Sequence, residues 1–369
     1  MTRLNSVPVV PFIRRHGLLF ALAAFVISLV VIGCGGGGSN NGGAIPSTGF
    51  KQTGATYVGR VACRDCHANI YDQYAEQPMG SMAEYADTRH VGSNCGACHA
   101  TGFGQPTGGL LDGSTPHLAG IGCESCHGPG SKHLTAGSIA EREATITRVP
   151  PDKTCQDCHG DRKSTPEGYR PGALDQPYQM VTAETLRNTT ASSIRGPHHA
   201  AGAFLFGRGG YNLAAPMTSP HSTVPNTCVA CHQKTINPAT GKVDHGAEAQ
   251  HPNTNTNQVN CSSCHSGRSE HFVQTGVKEA LIELCGEDPA NPGEPDANLT
   301  GGMFGAFVAE HGLVLSSNTN PDDPNLIAYK GARHNIKHIL GDHSYGVHNP
   351  AFARTLIDDA KALLTIEAE

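Results

Sequence analysis

The sequence predicts a mainly α fold with extensive irregular loops, around a core that ordinary side chains do not supply. Three observations predict it. Gly (45) and Pro (24) together make up close to a fifth of the 369 residues, a content that interrupts regular structure often. Trp is absent and aromatic residues are only 5% of the chain, so large apolar side chains are scarce for a chain of this length. The pentapeptide Cys-x-x-Cys-His occurs six times and takes twelve of the fourteen cysteines.

The six copies place cysteines at Cys63 and Cys66, Cys95 and Cys98, Cys123 and Cys126, Cys155 and Cys158, Cys228 and Cys231, and Cys261 and Cys264. The histidines that close them are His67, His99, His127, His159, His232 and His265. Two thiols three residues apart reach the two vinyl groups of one porphyrin, and the adjacent imidazole meets the iron from one face. A lone Cys-x-x-Cys is equally a zinc half-site or a redox disulfide. Neither use needs His after every second Cys, and six copies without exception imply six c-type haems linked by thioethers. Each porphyrin brings apolar surface and two covalent staples, so haem is expected to form most of the core and the apo chain is not expected to fold alone.

The N-terminus reads as an address. Arg3, Arg14 and Arg15 precede an apolar stretch from Gly17 to Ile32, the order of an export signal. About 16 apolar residues fall short of the ~20 that span a bilayer. Val31-Ile32-Gly33-Cys34 resembles a bacterial lipobox, which makes residues 1–33 a signal peptide and Cys34 a lipidation site. Residues 34–54, rich in Gly, Ser and Asn, read as a flexible tether. Position 35 is not Asp, so an outer-membrane lipoprotein facing the periplasm or cell surface is expected. Residues 1–33 carry three Arg and no acid, which leaves 23 basic against 32 acidic side chains, formally −9. That balance argues against nucleic acid and mildly favours basic or cationic partners, metal ions among them.

The first cysteines fall at 63, 95, 123, 155, 228 and 261, so a unit of about thirty residues recurs with one long insertion. Residues 55–170 form a four-haem segment and 221–275 a two-haem segment. Between them, 171–220 is a haem-free insertion able to supply distal histidines. Residues 276–369 are a helical, ligand-supplying tail. Short helices are expected at 68–77, at 277–285 with Leu281, Leu284 and Cys285 on one face, and at 302–313. Pro350 opens the clearest one, 350–366, in which Ala353, Leu356, Ile357, Ala360, Leu363 and Leu364 recur at helical spacing. The Pro-rich run 286–297 is a loop. Cys285, left over, reads as a buried free thiol.

A low-spin haem needs a second axial ligand, usually His or Met. His133 follows His127 by six residues and His271 follows His265 by the same six. A histidine that close cannot reach the far face of its own porphyrin, so each would serve a neighbouring haem. His348, just before Asn349-Pro350, ranks with them. His117, His221 and one of the adjacent pair His198 and His199 are further candidates, and Met79 is the one sulfur candidate. His334 and His338 would share a helical face, a geometry that also suits solvated surface.

Several segments resemble the multihaem cytochromes c of the c-552/c-554 type, known from metal-reducing and nitrogen-cycling bacteria. They are Tyr57-Val58-Gly59, Gly120 to Gly130 with His133, Pro197-His198-His199 with Ser219-Pro220-His221, and Gly346-Val347-His348-Asn349-Pro350. In that family the His after Gly-Pro-Gly and the His before Asn-Pro are distal ligands, which implies those roles for His133 and His348. The chain departs at Met79, where many relatives have His, and it has no Cys-x-x-Cys-Lys motif of the kind that nitrite-reducing relatives often carry. The resemblance implies electron transfer in an outer-membrane or extracellular respiratory chain, with other cytochromes or redox proteins, and extracellular metal ions or minerals, as partners. The alternatives are a reductase or oxidase of small nitrogen or sulfur compounds with one five-coordinate haem, and a subunit of a cytochrome filament.

Overall fold

The computed structural model describes residues 54–81, 96–150, 152–160, 174, 177–197, 199–232, 264–265 and 271–365. The expectations for the signal peptide, Cys34, the tether, Cys95, Cys261 and His198 fall outside them.

Short helices come first, and four of them carry motif residues. They are α1 (Val61–Ala75), α2 (Pro78–Ser81), α3 (Gly96–His99), α4 (Cys123–His127), α5 (Ser131–Thr135), α6 (Ile139–Ala144) and α7 (Asp152–His159). α1 is broken at His67, which has non-helical angles (φ −125°, ψ 40°). The turn of the first motif and the helix expected at 68–77 are thus separate pieces. A capping box holds the start of α6: Ser138 accepts from the Glu141 amide while the Glu141 carboxylate accepts from Ser138. α8 (Ala183–Arg187), α9 (Ala201–Leu205) and α10 (Thr227–His232) punctuate the next stretch. No strand occurs among the described residues; isolated bridges such as Ala100–Ala119 and Val181–Tyr211 are the nearest approach. The mainly α, loop-rich class expected from the sequence is the class observed.

The last region differs. α11 (His271–Cys285), α12 (Gly302–His311), α13 (Pro324–Asp342) and α14 (Pro350–Leu363) are full-length helices that pack on one another. Leu281, Leu284, Phe304, Tyr329, Ile336, Ile339, Phe352 and Leu356 are completely buried between them. This is an ordinary apolar core, so the expectation that porphyrins supply most of the core does not extend to this region. Cys285 lies in it with no exposure, and burial pushes its thiol up to about 12, with Asp296 a smaller cause.

α13, at 19 residues the longest helix among the described residues, is absent from the sequence expectations because its pattern hides it. Two glycines interrupt it, and much of its buried face is polar. Gly331 is needed because a Cβ there would lie 2.5 Å from the Tyr211 ring. The polar face ties down the short helical turns and loops that precede it in sequence. Arg333 donates from Nε to the Ile194 carbonyl (3.1 Å), from Nη2 to Ser192 (3.3 Å) and from Nη1 to Asn298 (3.3 Å). Lys330 Nζ donates to the Arg187 carbonyl and to Asn318 Oδ1 (3.0 and 2.7 Å), and His334 Nε2 to the Gly209 carbonyl (2.7 Å). Asn335 Oδ1 accepts from the Tyr211 amide (2.8 Å). His334 and His338, read from sequence as compatible with solvated surface, are instead buried at 4% and 0% exposure. Burial holds His334 neutral, with its pKa down at about 4.

Candidate haem sites

Each motif needs two thiols and an imidazole facing the same way, and then a partner for the far side of the iron. The structure brings four motif histidines to four histidines from outside the motifs. His67 faces His133 with ring centroids 6.3 Å apart, and His159 faces His199 at 5.8 Å. His221 faces His265 at 5.9 Å, and His232 faces His348 at 5.9 Å. Nitrogen–metal bonds of about 2 Å on opposite sides of one ion, as for zinc, put imidazole centroids about 6 Å apart. Plain ring stacking covers a wider range of about 4.5–7 Å. Each of these four pairs joins a motif histidine to a non-motif one, whereas the His334–His338 contact at 6.5 Å joins two non-motif rings.

Second contacts orient the rings. A carbonyl only accepts, so a ring nitrogen bonded to one carries the proton and leaves the other nitrogen bare for a metal. His127 Nδ1 donates to the Thr147 carbonyl (2.6 Å) and His133 Nδ1 to the Arg142 carbonyl (2.9 Å). His348 Nδ1 donates instead to the Asp342 carboxylate (2.6 Å). Burial works against a proton on His348, but the Asp342 carboxylate outweighs it and leaves the pKa raised. His159 is held down to about 4, first by burial and then by His199, His232 and His348. That last set of neighbours places the fourth and fifth motifs side by side.

The motifs also touch directly. The Cys63 side chain is a neighbour of Cys123, and Cys98 of Cys158, with Cys126 close to the latter pair. α7 packs on α3, α4, α9 and α10. His221 stands beside α10 in a short 3-10 turn at Pro220–Thr223. The first motif is therefore next to the third, and the fourth sits among the second, third and fifth. The histidine that faces the sixth motif adjoins the fifth.

Local features make these contacts possible. Glu124, inside the third motif, is buried at 2% exposure. Its carboxylate accepts from the amides of Val58 (3.0 Å), Gly59 (2.7 Å) and Gly130 (2.7 Å). One side chain thus binds two of the family-like segments, Tyr57-Val58-Gly59 and Gly128-Pro129-Gly130, into one unit. Tyr57, beside it, is pushed up to about 12 by burial and by the Glu124 charge. Thr101 Oγ1, just past the second motif, donates to the Gly120 carbonyl (2.9 Å) and accepts from the Gly122 amide (2.8 Å). α9 approaches α7 closely at Gly202, where a Cβ would lie 3.0 Å from the His159 carbonyl oxygen. That approach carries His199, in a left-handed conformation at φ 50°, to His159. Asn349 Nδ2 reaches the carbonyls of Phe204, Leu205 and Met217 while its Oδ1 caps α14 at Phe352.

Other sequence candidates stand apart from the four pairs. His117 is exposed, and its ring lies against Gly59. Met79 is half-buried in α2. His271 opens α11. Of the adjacent pair His198 and His199, only His199 lies among the described residues, and it faces His159. Glu124 and Asp342 had no sequence signal beyond their positions inside one motif and six residues before His348.

The donor set fits haem c. Thiols, a motif imidazole and a facing imidazole recur together, and five of the seven exposed large apolar side chains (Val61, Leu110, Leu134, Ile139 and Val149) lie in the region of the first four motifs. Such side chains are the apolar lining a porphyrin needs. Residues 62–128, which hold the first three motifs, match the model of the family described as cytochrome c554 and c-prime. These features fit covalent c-type haem on the Cys motifs, and the family match over residues 62–128 agrees with it. Two solved structures are similar. One is the outer cell wall cytochrome OcwA, at 16% identity and a TM-score of 0.31, covering 84% of this chain and 100% of that one. The other is an undecahaem cytochrome from the S-layer of Carboxydothermus ferrireducens, at 16% identity and a TM-score of 0.29, covering 84% and 69%. At such TM-scores the backbones differ globally, so the reading rests on this chain's own residues. No curated protein matches the chain.

Proposed function

We propose that the chain is an electron carrier with six haems, anchored by lipid at Cys34 and working between redox proteins at the outer membrane or cell surface. The observation that carries it is the set of four imidazole pairs at 5.8–6.3 Å. Two imidazoles on one iron leave no position for a substrate, which suits a carrier rather than a reductase. In this reading the distal ligands are His133 for the first motif, His199 for the fourth, His348 for the fifth and His221 for the sixth. Each haem, when bound, supplies a one-electron iron couple; the protein fixes spacing, ligands and surroundings.

The residues support a continuous route. Contacts among the motifs run from the first through the third to the fourth, then to the fifth and sixth, with the second joining at the fourth. The first motif stands at one end of this series of contacts and the sixth at the other. Those two ends are where partner proteins, or metal ions and minerals, would exchange electrons. The formal −9 of the mature chain steers cationic partners toward them.

The test is haem counting by mass together with low-temperature electron paramagnetic resonance of the holoprotein. Six adducts and low-spin signals throughout are expected. A high-spin signal that shifts on adding nitrite or hydroxylamine would overturn the carrier reading in favour of a reductase.

A further inference from the structure

We propose that Asp342 gives one haem, the one His232 and His348 would hold, the lowest potential in the chain. The inference rests on the proposed axial pairs and names a residue that tunes one of them.

Three of the proposed ligands show where their Nδ1 protons go. His127 and His133 give their Nδ1 protons to backbone carbonyls, which are neutral acceptors. His348 gives its proton to a full negative charge, Asp342 Oδ1 at 2.6 Å. The side chain of Asp342 has no exposure at all, so water does not screen that charge. Its other oxygen, Oδ2, accepts from the Ser344 hydroxyl, and no lysine or arginine among the described residues forms an ion pair with it. A carboxylate on Nδ1–H draws the proton toward itself and makes the opposite nitrogen a stronger donor. Stronger donation and a nearby anion both stabilise ferric over ferrous iron, which lowers the potential.

The arrangement is built into the backbone. α13 ends on His343 in the left-handed conformation (φ 57°), and Tyr345 (φ 48°) and Gly346 (φ 89°) complete a tight reversal. That reversal returns His348 to Asp342 at the end of the same helix. The His348 amide also donates to Ser344 Oγ (3.2 Å), so ring and backbone are fixed by the same short turn. The fifth motif lies between the fourth and sixth, so a low potential there makes passage through it uphill. Electrons in a partly reduced chain then reside on either side of it.

The test is Asp342→Asn in the holoprotein, which keeps an acceptor oxygen for Nδ1 and removes the charge. Redox titration followed by electron paramagnetic resonance reads each low-spin ferric signal separately. In the wild type one signal should titrate after all the others; in D342N that signal alone should move to higher potential. Asp342→Glu, which restores the charge, should move it back toward wild type. Unchanged midpoints in a fully haem-loaded D342N overturn the proposal and leave the axial pairs standing. Fewer than six haem adducts in the wild type would strike the proposed function instead. If D342N does not accumulate, the wild-type titration decides: a distinct last signal supports the role of Asp342, and six overlapping midpoints overturn it.

Discussion

Residues 54–160 and residues 271–365 contain similar numbers of described residues but are held together differently. The first region has four buried hydrophobic side chains, Tyr74, Ala100, Leu111 and Leu118; the second has eighteen. The first has short helices joined through Glu124, Thr101 and thiol contacts; the second has four long helices around an aliphatic and aromatic core. Haem attachment explains the contrast. A region that carries several covalent porphyrins can leave its packing to them, while a region without motifs must bury its own side chains. The second region nevertheless serves the first set of sites, since α13 and Asn349 hold the carbonyls of 187–217 from which His199 projects.

The largest test of this contrast removes the haems. Protein produced without haem attachment should lose hydrogen-exchange protection throughout 54–160 and keep it in α11–α14. Equal loss in both regions would show that the helical core depends on porphyrin as well. The next largest effect belongs to Arg333→Met, which leaves three carbonyls without their guanidinium. A buried polar group left unsatisfied costs about 1–3 kcal/mol, and with three carbonyls affected thermal unfolding of the C-terminal core should shift accordingly while haem count stays the same.

Acid should also separate the two regions. His334 is held neutral in the folded protein at about 4 against an ordinary 6.5, and His338 is shifted in the same direction, in both cases chiefly by burial. The unfolded chain therefore takes up protons before the folded one as pH falls from about 6.5 toward 4. Stability of the helical core is complete above that window and declines through it, by about 3 kcal/mol for His334 alone. Denaturant midpoints of the holoprotein at pH 7 and pH 4.5 measure this. The smallest effect is expected from Glu124→Gln, which keeps one acceptor but loses the charge-assisted bonds, about 1–2 kcal/mol. Faster amide exchange at Val58, Gly59 and Gly130, with α11–α14 unaffected, is the expected signature.

Much of the site was legible in advance because covalent attachment needs a contiguous pentapeptide. The thiols and motif histidines are readable wherever they occur, and so were the thirty-residue unit and α14, whose Pro350 and apolar spacing are both local signals. Other features had no local signal. α13 is polar on a buried face because it satisfies backbone groups far away in sequence, so periodicity does not reveal it. His199 reaches His159 through a left-handed turn and the close approach at Gly202, neither of which has a sequence pattern. His334 and His338 look like surface residues by spacing and are buried by packing.

The sequence by itself determined that thiols and imidazoles come in six fixed triplets, because bonds to one porphyrin demand fixed short spacings. Tertiary structure alone decided which distant histidine faces which triplet, since a ring 116 residues away in sequence, as His348 is from His232, comes to 5.9 Å only through the fold. It also decided that a buried carboxylate, rather than a carbonyl, receives the proton of that histidine. Such a contact depends on where α13 stops and how the chain turns back, and no short-range pattern records it.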